Sequence, residues 1–103
     1  MIHVIATIEL AEGKRETFLA EFRKIVPLVR AEAGCLAYGP AVDVPAIGLA
    51  VQVAPRDNIV TIVEQWESLE ALQAHFQAPH MGTYRPRVKD LVISTKLQIL
   101  QPA

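Results

Sequence analysis

The sequence predicts an α+β fold, a sheet with helices layered on one of its faces. Three observations carry that reading. Alternating apolar and polar residues open and close the chain, two segments with apolar residues at helical spacing lie between, and the order runs strand, helix, strands, helix, strand. At 103 residues there is room for a single domain, 1–103, built around one core.

Ile2, Val4, Ala6, Ile8 and Leu10 alternate with His3, Ile5, Thr7 and Glu9, the period of a strand whose side chains point to opposite faces. Glu12-Gly13 ends it. Phe18, Phe22, Ile25 and Val29 then recur at helical spacing and predict a long helix reaching Ala33, with Gly34 in the left-handed position that follows a helix. Pro27 lacks the N–H that would bond the Arg23 carbonyl, so a bend or a split is expected there. Residues 38–44 and 47–53 are short apolar runs parted by Pro45, and the turn-forming Pro55-Arg56-Asp57-Asn58 leads into 59–66. The last two of these runs are expected to form a hairpin. Ser68 can cap the next helix and Glu70 suits its first turn; Leu69, Leu72 and Phe76 form its inward stripe. Pro79 closes that helix in a Pro79-His80-Met81 turn, 80–89 has no clear pattern, and 91–100 is a final strand with Leu91, Ile93, Leu97 and Ile99 on one face.

The composition is apolar for a domain of this size, with 51% hydrophobic residues, 20% charged residues and a mean hydropathy of +0.27. About 25% charge is typical. A single layer of helices covers one sheet face, yet several strands carry apolar residues on both faces, and the last strand stays apolar through Ile99 and Leu100. Both features predict a homodimer in which a second copy covers the other face. The net charge of -1 supplies no basic field, which argues against nucleic acid and anionic lipid as partners. The N-terminus has no signal-peptide pattern and no run approaches a membrane span, so a cytoplasmic protein without membrane insertion is expected. Cys35 is the only cysteine, which excludes an internal disulfide. No zinc-ligand spacing, Gly-rich phosphate loop or serine elbow is present.

Candidate chemistry concentrates between Ile62 and Tyr84. On the strand ending in Trp66, Glu64 and Trp66 share one face, so a carboxylate and an aromatic surface are neighbours. Trp66 reads either as a core residue or as a stacking wall for a planar ring; Glu64 reads as a pocket group or a solvated strand residue. His75 sits at the border of the helix's inward stripe, where a half-buried imidazole can take a proton from a phenol-like substrate or simply pack. His80 and Met81 follow the helix, with His80 expected to be the more exposed histidine. Tyr38 and Tyr84 could donate hydrogen bonds to substrate oxygens, and Arg85 and Arg87 read as surface charges unless an anionic ligand draws them in. Cys35, with no basic neighbour in sequence, reads as packing.

The strings EAGCLAY at 32–38, EQWES around Trp66 and LQAHFQAPHMGTY after it resemble the signature of the antibiotic biosynthesis monooxygenase superfamily. KIVPLV, AYGPAVD, NIVTIVEQWES, APHM and the terminal ILQP are similar to its bacterial quinol monooxygenase subgroup. The resemblance implies a ferredoxin-like protomer that pairs sheet to sheet into a dimeric α+β barrel, with one pocket per subunit between sheet and helices. It implies cofactor-independent oxidation of a quinol or similar hydroxylated aromatic by dioxygen, with no flavin, haem or metal. His75 matches the family's helix histidine and becomes the expected general base; Trp66 matches its strand tryptophan. A related haem-degrading branch uses an Asn on the first strand, where this chain has Ala6 and Thr7, which argues against haem. Two other classes remain open on the sequence: a non-catalytic quinone-binding protein, and an isomerase or processing enzyme of a small carbonyl metabolite, whose phosphorylated substrate would need the arginines near Pro86 inside the pocket.

Overall fold

The N-terminal alternation forms β1 (Ile2–Leu10) in a computed structural model that describes residues 1–103. Its Ile2, Val4, Ala6, Ile8 and Leu10 are buried while the intervening side chains are half-buried or exposed, as period-2 side-chain geometry dictates. After Gly13, whose φ is +74°, α1 (Arg15–Arg30) buries Phe18, Leu19, Phe22, Ile25, Val26 and Val29. β2 (Cys35–Ala41), β3 (Ile59–Trp66), α2 (Leu69–Phe76), α3 (Pro79–Val88) and β4 (Val92–Leu100) complete the chain.

The strands form one sheet in the order β2-β3-β1-β4, with every neighbouring pair antiparallel. This is the ferredoxin-like α+β arrangement that the sequence resemblance implied. Strand pairs Val4–Glu64, Ala6–Ile62 and Ile8–Val60 stack the buried face of β1 on that of β3, and the same face continues on β4 through Ala6–Leu97 and Val4–Ile99. The helices lie against the β2, β3 and β1 part of this face. They leave β4 open, so Leu97 is 43% and Ile99 49% exposed although they point to the core side. On the opposite face Ile5 pairs with Val63 and His3 with Leu100, and no part of the chain covers them.

Four expectations need correction. Residues 47–53 form no strand, and β3 pairs instead with β2; Pro45, Gly48 at φ +87° and Pro55 interrupt 42–58, whose Val44, Ile47, Leu49, Val51 and Val53 are exposed. An apolar run needs an edge to pair with as well as alternation, and β2 already occupies the edge of β3. Pro27 does not split α1. It lies in the last turn, and Ala31 N–H still bonds the Pro27 carbonyl at 3.2 Å. The helix ends at Arg30 rather than Ala33. Finally, Pro79-His80-Met81 is no turn but the start of α3: Ala78 is extended at φ -63°, ψ 139°, as the residue before a proline prefers, and Pro79 occupies the first helical turn, where its missing N–H costs nothing.

Gly34 is left-handed at φ +82° and makes the turn into β2, but it also allows a close approach. A methyl group there would sit 2.6 Å from the Ala71 Cβ of α2. With Glu67 N–H bonded to the Gly34 carbonyl at 2.8 Å, the loop after α1 is drawn against α2 and its Glu32 reaches His75.

Candidate active site

Between the helix side of the sheet and α1 and α3 lies a cavity of about 840 Å³. Small-molecule sites typically span about 300–1,000 Å³. Its wall is mainly apolar, with Ala6, Ile62, Phe22, Met81 and Leu97 among the lining residues, and its polar groups are few. Glu64, His75, Tyr38 and Tyr84 line it together, brought from β3, α2, β2 and α3.

Glu64 and Trp66 share a face of β3, as alternation required, and the indole Nε1–H donates to Glu64 Oε1 at 2.9 Å. Both are buried, Trp66 completely. Trp66 does not line the cavity, which corrects the expectation of a stacking wall. It lies behind the wall, with its ring 4.8 Å from the His75 ring and edge-on to Tyr38 at 6.5 Å, and so holds both the carboxyl and the imidazole in place. Burial pushes the Glu64 carboxyl up to about 7; the indole bond opposes that rise and the charge of Glu32 adds to it.

His75 is more deeply placed than its stripe suggested. It is 2% exposed, whereas Leu69 of the expected stripe is 49% exposed, so the buried face of α2 is Leu72 and His75. Its Nδ1 lies 3.0 and 3.2 Å from the two oxygens of Glu32, and His80 Nε2 lies 2.6 Å from Glu32 Oε2. Burial lowers the His75 pKa more than the Glu32 carboxylate raises it, so the pair is a neutral imidazole donating to a carboxylate rather than an ion pair. The donated proton is on Nδ1, which leaves the lone pair on Nε2. Glu32 thus fixes the tautomer in which Nε2 is the basic atom of His75.

His80 is half-buried and outside the cavity lining; its contact is Glu32. Met81, one residue on, does line the cavity. Glu32, His75 and His80 also place their ligand-type atoms within 4.8 Å of one another, a set that a divalent ion could reach. Hydrogen bonds account for the cluster, each imidazole donating one N–H to the carboxylate. Tyr38 and Tyr84 both have hydroxyl pKa values raised by burial, so they remain donors. Tyr84 packs edge-on to Phe18 and Phe22, and Arg30 Nε fixes the Tyr38 carbonyl at 2.9 Å. Cys35 is half-buried with its thiol pKa raised by burial and by the Glu32 and Glu64 charges, which fits packing rather than nucleophilic chemistry.

Arg85 lines the cavity together with Lys89, while Arg87 does not. Arg85 Nη2 donates to the Phe76 carbonyl at 2.8 Å, across the end of α2. The residue that sequence reasoning missed is Glu32. It is 43 positions from His75, and nothing in local spacing links them; the traces were the EAGCLAY string that Glu32 opens and Gly34 within it, whose close approach to α2 brings that loop in.

Residues 1–87 match the model of a family described as antibiotic biosynthesis monooxygenase. Among curated proteins, the chain is 45% identical over 104 residues to "Probable quinol monooxygenase YgiN" of Escherichia coli K12, covering 99% of this chain and 98% of that one. Among solved structures it resembles PA3566 from Pseudomonas aeruginosa, with 28% identity, a TM-score of 0.80 and coverage of 99% and 93% of the two chains. Rv0793 from Mycobacterium tuberculosis is similar at 25% identity and a TM-score of 0.78, covering 99% and 94%. No helix is long and apolar enough to cross a membrane.

Proposed function

We propose that this chain, which belongs to the antibiotic biosynthesis monooxygenase family, oxidises a quinol or similar hydroxylated aromatic with dioxygen and without a cofactor, His75 acting as general base. The observation that carries the reading is the His75 tautomer: Nδ1–H is committed to Glu32, and the side chain lines an apolar cavity in which Nε2 is the remaining basic atom. A quinol becomes a good electron donor to dioxygen once deprotonated. The protein then needs only to hold the ring, remove a proton and exclude water. Phe22, Ile62 and Leu97 supply apolar surface for the ring, Tyr38 and Tyr84 supply hydroxyl donors for its oxygens, and Met81 closes the wall. The overall change is quinol plus dioxygen to hydroxyquinone plus water.

The same reading includes a cytoplasmic homodimer. The uncovered sheet face with Ile5, Val63 and Leu100, and the open inner face of β4, are the surfaces a second copy would bury. A second reading, isomerisation or processing of a small anionic carbonyl compound, draws support from Arg85 and Lys89 at the cavity. One experiment separates them: metal-stripped protein is incubated with a panel of quinols with and without dioxygen, following oxygen uptake and products. Oxygen-dependent hydroxylation above autoxidation is the expected result. Product formation that persists without oxygen favours the second reading, and ligand binding without turnover reduces the protein to a quinone carrier.

A further inference from the structure

Two polar side chains of the cavity each have a partner capable of only one role. An indole N–H can only donate, so Glu64 Oε1 is the acceptor, and a proton on that carboxyl resides on Oε2. A carboxylate can only accept, so His75 Nδ1 holds its proton and Nε2 has the lone pair. The cavity therefore contains a basic nitrogen and, on another wall, a buried carboxyl whose Oε2 is bonded to no protein group. Glu64 is the single acidic residue among the lining groups, is 5% exposed and has no cation bonded to it. Burial of such a group favours its neutral form, in keeping with the upward shift described above.

We propose that Glu64 is the general acid of the reaction, delivering the Oε2 proton to the departing oxygen of a ring-bound peroxide while His75 Nε2 takes the ring proton. This rests on the monooxygenase reading, and the atoms balance within it. His75 removes a hydroxyl proton from the quinol; the anion passes one electron to dioxygen, and the resulting radicals combine to a ring-carbon peroxide anion. That anion recovers the proton from His75 and becomes a hydroperoxide. Nε2 then takes the hydrogen on the same ring carbon, the C–H electron pair forms the new carbonyl, and the O–O bond breaks. The leaving hydroxide takes the Glu64 proton and departs as water. Transfer of the His75 proton back to Glu64 restores both groups. Without the acid, the peroxide has a poor leaving group and reverts to quinone and hydrogen peroxide, an outcome that needs no O–O cleavage.

The test is Glu64→Gln, which preserves volume and keeps an oxygen for the Trp66 indole but cannot supply a proton. Hydroxyquinone formation should fall by roughly 10²-fold, the scale of a lost general acid, and dioxygen uptake should slow less, with hydrogen peroxide and unhydroxylated quinone replacing the product. A purely structural role would lower both rates together and leave the product ratio unchanged. Independently of turnover, difference infrared spectra of the wild type should show a protonated-carboxyl C=O stretch at pH 6 that is absent in Glu64→Gln. Coupled turnover by Glu64→Gln, or no protonated carboxyl in the wild type, overturns the role of Glu64 alone. A wild type that consumes no dioxygen with any quinol overturns the monooxygenase reading and this role with it.

Discussion

The segment from β3 through α3 and the segment 42–58 are both rich in apolar residues, and they end in opposite environments. In the first, Val60, Ile62, Trp66, Leu72, Met81 and Val88 are buried around a cavity with tethered polar groups. In the second, Val51 is 91% exposed and Val53 and Ile47 are 70% and 69% exposed. The difference lies in what each segment pairs with: β3 sits between β1 and β2, so both of its edges are paired, whereas 42–58 leaves the edge strand β2 and, interrupted by Pro45, Gly48 and Pro55, pairs with no strand. Apolar sequence within one chain is therefore of two kinds here, one that builds the site and one that stays exposed.

The largest expected effect strikes the first region. Trp66 is fully buried and contacts Tyr38, His75 and Glu64, so Trp66→Ala should cost about 3–5 kcal/mol of stability by denaturant unfolding. Since it lies behind the wall, quinol affinity should change only as the fold loosens. A loss below about 1 kcal/mol would mean that the region is not held from behind by the indole.

The pH dependence of Glu64 is the next effect. Its folded-state pKa is raised to about 7 above the ordinary carboxylate range, so the folded protein holds a proton that the unfolded chain releases across that window. Its contribution is therefore favourable below the unfolded pKa and lost as pH rises toward about 7. Relative to wild type, Glu64→Gln should gain stability on going from pH 5 to pH 8, by up to about 3 kcal/mol, read as the difference in denaturation midpoints. His75 works in the other direction: its depressed pKa favours the neutral folded form, and that contribution fades as pH falls below about 6.5. Equal midpoint shifts for wild type and Glu64→Gln would show that the carboxyl is ionised and solvated in the fold.

His75→Ala should lower quinol turnover by roughly 10²-fold, about 2.7 kcal/mol in barrier, while weakening ring binding less. Glu32→Gln is its companion. An amide at that position can donate to Nδ1 and favour the wrong tautomer, so kcat should fall with KM little changed, and the pH profile should move with it. Wild-type turnover by folded His75→Ala between about pH 6 and 8 would make the imidazole a packing group.

How much of this was legible follows the same division. Local periodicity revealed β1, α1, β3, α2 and β4, and period 2 alone put Glu64 beside Trp66. Pro79, Gly82 and Pro86 hid α3, because breaker residues obscure a helix whose proline occupies its first turn. The Glu32–His75 pair was invisible for a different reason: it is a contact across 43 positions, created by a left-handed glycine packed on Ala71, and no window of sequence contains both. The apolar run at 47–53 misled because exposure is a property of the assembled sheet.

The smallest effect on the protomer is expected where the second region is altered, and it is the sharpest test of the comparison. Val51→Ser with Val53→Ser touches exposed side chains, so the stability of the isolated fold should change by no more than about 0.5 kcal/mol. If the chain forms the proposed homodimer and these valines lie within it, their apolar area leaves water only on association, and the double variant should shift toward monomer by light scattering at dilution while its cavity chemistry per folded site is retained. An unchanged dimer would place the interface on the sheet face of Ile5, Val63 and Leu100 and the open inner face of β4, without the loop, and Val63→Ser should then have the effect that the loop lacked. A wild type that is monomeric at every concentration would remove the homodimer and leave the apolar loop without an occupant, because exposed valines that bury nothing contribute nothing to folding.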